Sequence, residues 1–250
     1  VLWVRSRRVE IYLGETLIGC KGLDGADDRW LDVANVEAAV AQLHEWVSAV
    51  QAPVRARVWL GSALARPLIL PGDCGARNAE EAKVLASVTA GDVTGQEGDL
   101  KVWTARWRAG RPTLCVAIPR SVLVALQTPA SAAERCRLRV DSVRPWWNQV
   151  LDVVLNRSRL QSRAIGWTLV EPDGLIEGRA ERGEVIEVGF EGRKVHDPDW
   201  SLLRRRLAIG WDGIDDAQHF AFGRAGVTAE TATPFAIGGA GILAIGEAGS

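Results

Sequence analysis

The sequence predicts an α/β (α+β) protein made of two β-β-β-α-β units with a small inserted subdomain. Three observations point there. A run of short strands near the N-terminus leads into a helix and a strand; the same order returns over Arg163–Phe222; and a strand, a helix and a hairpin lie between the two.

Leu2–Arg5, Val9–Leu13 and Thr16–Gly22 read as the opening strands, with Leu13-Gly14-Glu15-Thr16 as a tight turn. Asn35–Val50 reads as a helix capped by Asn35, because Val36, Val40, Leu43 and Val47 recur at three or four residues and Ala38, Ala39 and Ala41 favour helix. Arg55–Leu60 alternates Arg with apolar residues, as a strand with one solvated face does, and Pro67–Leu70 follows as another strand. Asn78–Val88 reads as a shorter helix before the Gly-rich breaker Gly91–Gly98. Leu100–Trp107 and Thr113–Ile118 read as an antiparallel pair across Ala109-Gly110-Arg111. Pro119 suits the first turn of a helix running to about Gln127, Arg137–Val143 reads as a strand, and Pro145–Asn156 as a helix opening on its proline.

Arg163–Val170, Leu175–Ala180 and Glu184–Phe190 form a meander joined by Pro172-Asp173-Gly174 and Glu181-Arg182-Gly183. A helix over Asp199–Ile209 and a closing strand over Gln218–Phe222 complete the second unit. The resulting division assigns 1–60 and 113–144 to the first unit, 61–112 to the insert and 145–250 to the second unit.

A chain of 250 residues, 47% hydrophobic and 24% charged, can bury a real core. Its net charge of −1 gives no global attraction to nucleic acid or to an acidic membrane. No stretch has the length of a membrane span, and Arg inside the first apolar run of Val1–Arg8 argues against a signal peptide. The expected location is cytoplasmic, with any membrane association made through a partner or a segment outside this sequence. Methionine is absent, even at position 1, which reads as a processed chain, a fragment, or a sequence lacking its methionines. Cys20, Cys74, Cys115 and Cys136 form no CxxC pair, so the sequence carries no zinc or redox signature, and Cys20 and Cys115 read as buried free thiols.

No catalytic, metal-binding or cofactor-binding residues are expected. His44, His196 and His219 are far apart, and His44 reads as a surface side chain. His196-Asp197-Pro198-Asp199 could place two carboxylates near an imidazole, but Asp-Pro-Asp ahead of a helix is also capping chemistry. Asp212-Gly-Ile-Asp215-Asp216 lacks the ligand order of a calcium loop, Gly61-Ser62-Ala63 lacks the second Gly of a nucleophile elbow, and Gly238-Gly-Ala-Gly241 opens no helix. Trp46, Trp59, Trp103 and Trp167 fall on apolar or alternating positions and read as core or half-buried. Arg144, Trp146, Trp147 and Trp211 are the candidate contacts for a protein partner, since Trp beside Arg is the chemistry of interface hot spots.

Thr113–Trp147 runs Thr-Leu-Cys-Val-Ala-Ile-Pro, then a helix, then Arg-Leu-Arg-Val-Asp-Ser-Val-Arg-Pro-Trp-Trp. That order resembles the segment linking the lobes in the cytoplasmic actin-like domain of the type II secretion L component and in the type IV pilus M protein. The resemblance implies two actin/RNase H-like lobes and a role as a scaffold docking a protein of a secretion or pilus assembly complex, with self-association left open. Nucleotide-binding members place phosphate loops in the first hairpin of each lobe, built on Asp, Gly and Ser or Thr. The first hairpin here keeps Gly14 and Thr16, and the second keeps Gly166 and Thr168 around Trp167, but neither shows the Asp-x-Gly. The resemblance therefore favours a non-enzymatic scaffold without a cofactor over an active actin-like ATPase or kinase-type nucleotide-binding protein.

Overall fold

The computed structural model describes residues 6–23, 28–50, 52–95, 99–127, 138–161, 164–192 and 216–221. Three sheets organise them. The first has five strands: β1 (Arg7–Leu13), β2 (Leu17–Lys21), β3 (Arg29–Asp32), β4 (Val54–Leu60) and β8 (Leu138–Pro145), in the order β3-β2-β1-β4-β8. β1, β2 and β3 pair antiparallel, whereas β4 runs parallel to both β1 and β8. The crossover from β3 to β4 is helix α1 (Val36–Ser48), whose predicted cap is observed: Ala38 N donates to Asn35 Oδ1 at 2.9 Å.

β3 is not predicted by the sequence, which places the third strand at Leu2–Arg5, outside the described residues. The reason is physical. β3 is four residues long, lies at the sheet edge and is mostly exposed, so it carries no apolar alternation to read.

Period-two alternation divides the first sheet between two cores. Val9, Ile11 and Leu13 of β1 and Val54, Ala56, Val58 and Leu60 of β4 pack under α1 and helix α3 (Arg120–Gln127). The opposite face changes character along the strands. At one end it is charged, with Arg57 paired to Glu10 at 3.2 Å and Arg55 to Asp141 at 2.9 Å. At the other end Tyr12, Leu17 and Trp59 join a second core with Trp146, Trp147, helix α4 (Asn148–Gln161), β9 (Ala164–Glu171) and β10 (Gly174–Glu181).

The second sheet has the order β11-β10-β9-β12, with β11 at Glu184–Glu191 and β12 at Asp216–Ala221. The predicted meander is observed, and β12 returns parallel to β9. The helix expected over Asp199–Ile209 lies outside the described residues. The turn before β11 places Arg182 and Gly183 at positive φ, and Gly183 N donates to the buried Ser158 Oγ of α4 at 2.5 Å.

The third sheet is the insert: β5 (Arg66–Leu70), β7 (Thr113–Pro119) and β6 (Leu100–Thr104), in the order β5-β7-β6. The predicted pairing of β6 with β7 is observed. β7, which lies in the 113–144 stretch expected of the first unit, pairs on both sides with strands of the 61–112 stretch. Helix α2 (Ala79–Thr94) covers this sheet with Ala82, Ala86 and Ala90. It continues through Gly91 to a left-handed Gly95, beyond the predicted end at Val88, because the alanine stripe keeps packing past that point. Trp103 is 42% exposed on β6, against the expectation of a core or half-buried position.

Pro145 ends β8 rather than opening a helix; two turn residues, Trp146 and Trp147, intervene before α4. Cys20 and Cys115 are buried outside any disulfide, as expected, and burial pushes the Cys115 thiol up to about 11. His44 is buried in α1, not on the surface, because it follows Leu43 on the face that meets the sheet.

Candidate functional site

The fold brings three connections together: the β1–β2 turn, the β4–β5 loop and the β9–β10 turn. The first is held by Gly14 N donating to Leu17 O at 2.8 Å. The second is a helical turn in which Leu64 N and Ala65 N both donate to Gly61 O, while Gly61 N donates to Leu13 O at 2.9 Å. The third is Pro172-Asp173, whose proline fixes the turn and whose aspartate points away from its own hairpin.

Asp173 closes the arrangement. Its Oδ2 accepts from Glu15 N at 2.7 Å and from Thr16 N at 3.2 Å, and its Oδ1 accepts from Thr16 Oγ1. The residue is only 5% exposed. Two backbone donors and a hydroxyl converging on one carboxylate are the charge-assisted bonds that make such burial tolerable.

Glu171, two residues earlier at the end of β9, is 1% exposed. Its Oε2 accepts from Ser62 N at 2.5 Å, and its Oε1 has no hydrogen-bond partner among the described residues. Burial pushes its carboxyl up to about 7, against the pull of Ser62, with the Asp173 carboxylate adding to the rise. The fully buried Tyr12 stands beside both acids; burial first, then Glu171 and Asp173, hold its phenol well above the ordinary range. A methyl group on Gly61 would lie 2.6 Å from the Tyr12 hydroxyl oxygen and 3.3 Å from Glu171 Oε2, so only glycine fits there.

Aromatic packing keeps these turns in place. Tyr12 meets Trp146 edge-on at 6.3 Å and 87°, and Trp30 at 6.0 Å. Trp30 lies over Gly19, its register partner in β2, where a Cβ would come within 2.2 Å of the indole. Trp147 Nε1 donates to Ala65 O at 2.6 Å, tying the turn before α4 to the β4–β5 loop. Beside the junction, Arg66 stacks its guanidinium 3.9 Å over the Phe190 ring of β11; burial lowers its pKa, partly offset by Glu15.

These positions correct two expectations. Trp146 and Trp147, expected as exposed partner contacts, are interior, 1% and 2% exposed, because the chain turns inward after Pro145. Arg144 is exposed on β8, and Trp211 lies outside the described residues. The second hairpin does carry carboxylates. Gly166 and Thr168 lie within β9, buried in the strand, and the hairpin turns instead at Pro172-Asp173, flanked by Glu171. Register, which the sequence did not reveal, moves the loop by several residues.

The donors of the β1–β2 turn and of Ser62 are taken by the chain's own carboxylates. The adjoining open groove is lined by Glu15, Glu37 and Asp99 together with Asn35 and Ser121. Three carboxylates repel phosphate. Among the described residues, no group of His, Cys, Asp and Glu could hold a metal ion.

No known protein family's profile matches the chain, and no curated protein matches it. Solved structures do. A Bacteroides thetaiotaomicron protein with an actin-like ATPase fold and unknown function aligns with a TM-score of 0.55 at 11% identity, over 90% of this chain and 84% of that one. The chain is similar to that protein in fold, a mixed α/β arrangement. Two further structures align at a TM-score of 0.49: the cytoplasmic domain of EpsL, an inner membrane component of the type II secretion system of Vibrio cholerae (14% identity, 86% of this chain and 82% of that one), and a PilM-PilN type IV pilus biogenesis complex (11% identity, 75% and 62%). No described helix of the chain is long and apolar enough to cross a membrane.

Proposed function

We propose that this actin-like chain is a non-enzymatic docking scaffold in the assembly of a bacterial secretion or pilus machine. The observation that carries the non-enzymatic part is the seal between the two hairpins: Asp173 takes the Glu15 and Thr16 donors, and Glu171 takes Ser62 N. An ATPase of this fold needs that space and those donors for phosphate and a carboxylate free to hold magnesium. The secretion or pilus setting is supported by the residue order of Thr113–Trp147. Arg144, exposed on the edge strand β8, is the candidate partner contact on a described surface.

The competing reading is an active nucleotide-binding protein, and the presence of Glu171 and Asp173 between the sheets is what favours it. One measurement separates the two. Thermal unfolding with Mg-ATP at millimolar concentration leaves Tm unchanged for a scaffold, whereas a clear rise defeats it. Capture with purified components of a secretion or pilus inner-membrane platform then tests the partner class, and loss of capture in Arg144→Ala with Tm intact tests the contact.

A further inference from the structure

We propose that the Gly14–Thr16 turn is an oxyanion site whose resident occupant is the chain's own Asp173 carboxylate, so that the protein carries in cis the anion that would otherwise come from a phosphate-type ligand. Three independent features converge on this. The donors are of the kind that cradles a tetrahedral oxyanion: two successive backbone N–H groups and an adjacent hydroxyl, all aimed at one acceptor group. The cradle is shaped by the absence of a side chain at Gly14. And the occupant arrives from the other large sheet, so filling the site also fastens β9–β10 onto β1–β2.

The inference deepens the docking reading by giving its closed junction a chemical cause. Glu171 of its own hairpin and the neutral Tyr12 phenol of β1 lie beside Asp173, and Glu15 contributes its backbone N–H. The bonds that hold the occupant come from two N–H groups and a hydroxyl, donors that a phosphate oxygen can also use.

The test is chemical rescue. Asp173→Ala removes the occupant and leaves the donors; its Tm is expected to fall by roughly 5–10 °C. Inorganic phosphate or sulfate at ~50 mM then raises the Tm of Asp173→Ala by roughly 2–4 °C more than it raises that of the wild type, the wild type in the same salt serving as the control for general salt stabilisation. Adding Thr16→Val to Asp173→Ala abolishes that excess. Equal responses of the variant and the wild type overturn the proposal, as does a rescue that survives Thr16→Val. If Asp173→Ala does not fold, Asp173→Asn takes its place: it keeps the volume but sets an amide N–H₂ against the turn's donors, so its Tm falls, and a Tm equal to the wild type overturns the proposal. Failure to capture a partner would leave the rescue unaffected, and failure of rescue would leave capture unaffected, so the two readings are tested separately.

Discussion

A Cβ on Gly14 would lie 2.5 Å from Asp173 Oδ2 and 3.2 Å from Leu17 O. The first contact is with a side chain, but that side chain cannot retreat without releasing the Glu15 and Thr16 donors. Gly14→Ala is therefore expected to destabilise the protein by about 1–3 kcal/mol, well above the cost of adding a methyl at an open site. Combined with Asp173→Ala, the same substitution is expected to cost much less, because the clash has gone; a double-mutant cycle by urea unfolding reads the coupling.

Glu171 gives the stability of the protein a pH dependence of unusual sign. Its carboxyl is raised from 4.5 to about 7 in the fold, so between those values the folded state binds more protons than the unfolded state. Stability from this group is therefore fully present below about pH 4.5 and is lost as pH rises through 7, the reverse of a salt-bridged acid. The size is up to about 3 kcal/mol for a shift of that order. Glu171→Gln is expected to flatten the stability profile between pH 5 and 8, and to unfold at a higher urea concentration than the wild type at pH 8.

Trp147→Phe removes the bond from Nε1 to Ala65 O and leaves that carbonyl facing an apolar ring. The expected loss is about 2–4 kcal/mol, combining a stranded acceptor with a small cavity. Arg144→Ala, only three residues away on an exposed edge, is expected to leave Tm unchanged. Parallel thermal melts of the two variants check the contrast.

Much of this fold was legible in the sequence because the relevant signals are local. Asn35 and Asn78 cap their helices as their positions suggest, and Pro172-Asp173-Gly174 and Glu181-Arg182-Gly183 turn where expected. What was not legible depends on pairing at a distance. Thr113–Pro119 is a good strand in any sheet, and only its pairing shows that its neighbours are β5 and β6. Trp146 and Trp147 carry an interface composition, yet the inward turn after Pro145 buries both. The junction was harder still. Glu171 and Asp173 are acidic residues at a turn, ordinarily solvated, and nothing nearby in sequence announces that their acceptors meet donors 109 and 157 residues away, respectively. The one available sign was that Gly14 and Thr16 keep the makings of an anion-binding turn, which prompts the question of which anion fills it.

The sharing of the first sheet between two cores bears on how the chain folds during synthesis. Val9, Ile11, Val58 and Leu60 find their partners in α1 and α3, all encoded before residue 128. Tyr12, Leu17 and Trp59, on the other face, wait for α4, β9 and β10. Until the ribosome has released those segments, a growing chain presents a tyrosine, a leucine and a tryptophan side by side on a partly formed sheet, a patch of the kind that chaperones hold and that aggregation exploits. Release of β10, just beyond the turn that carries Asp173, is the event that retires it.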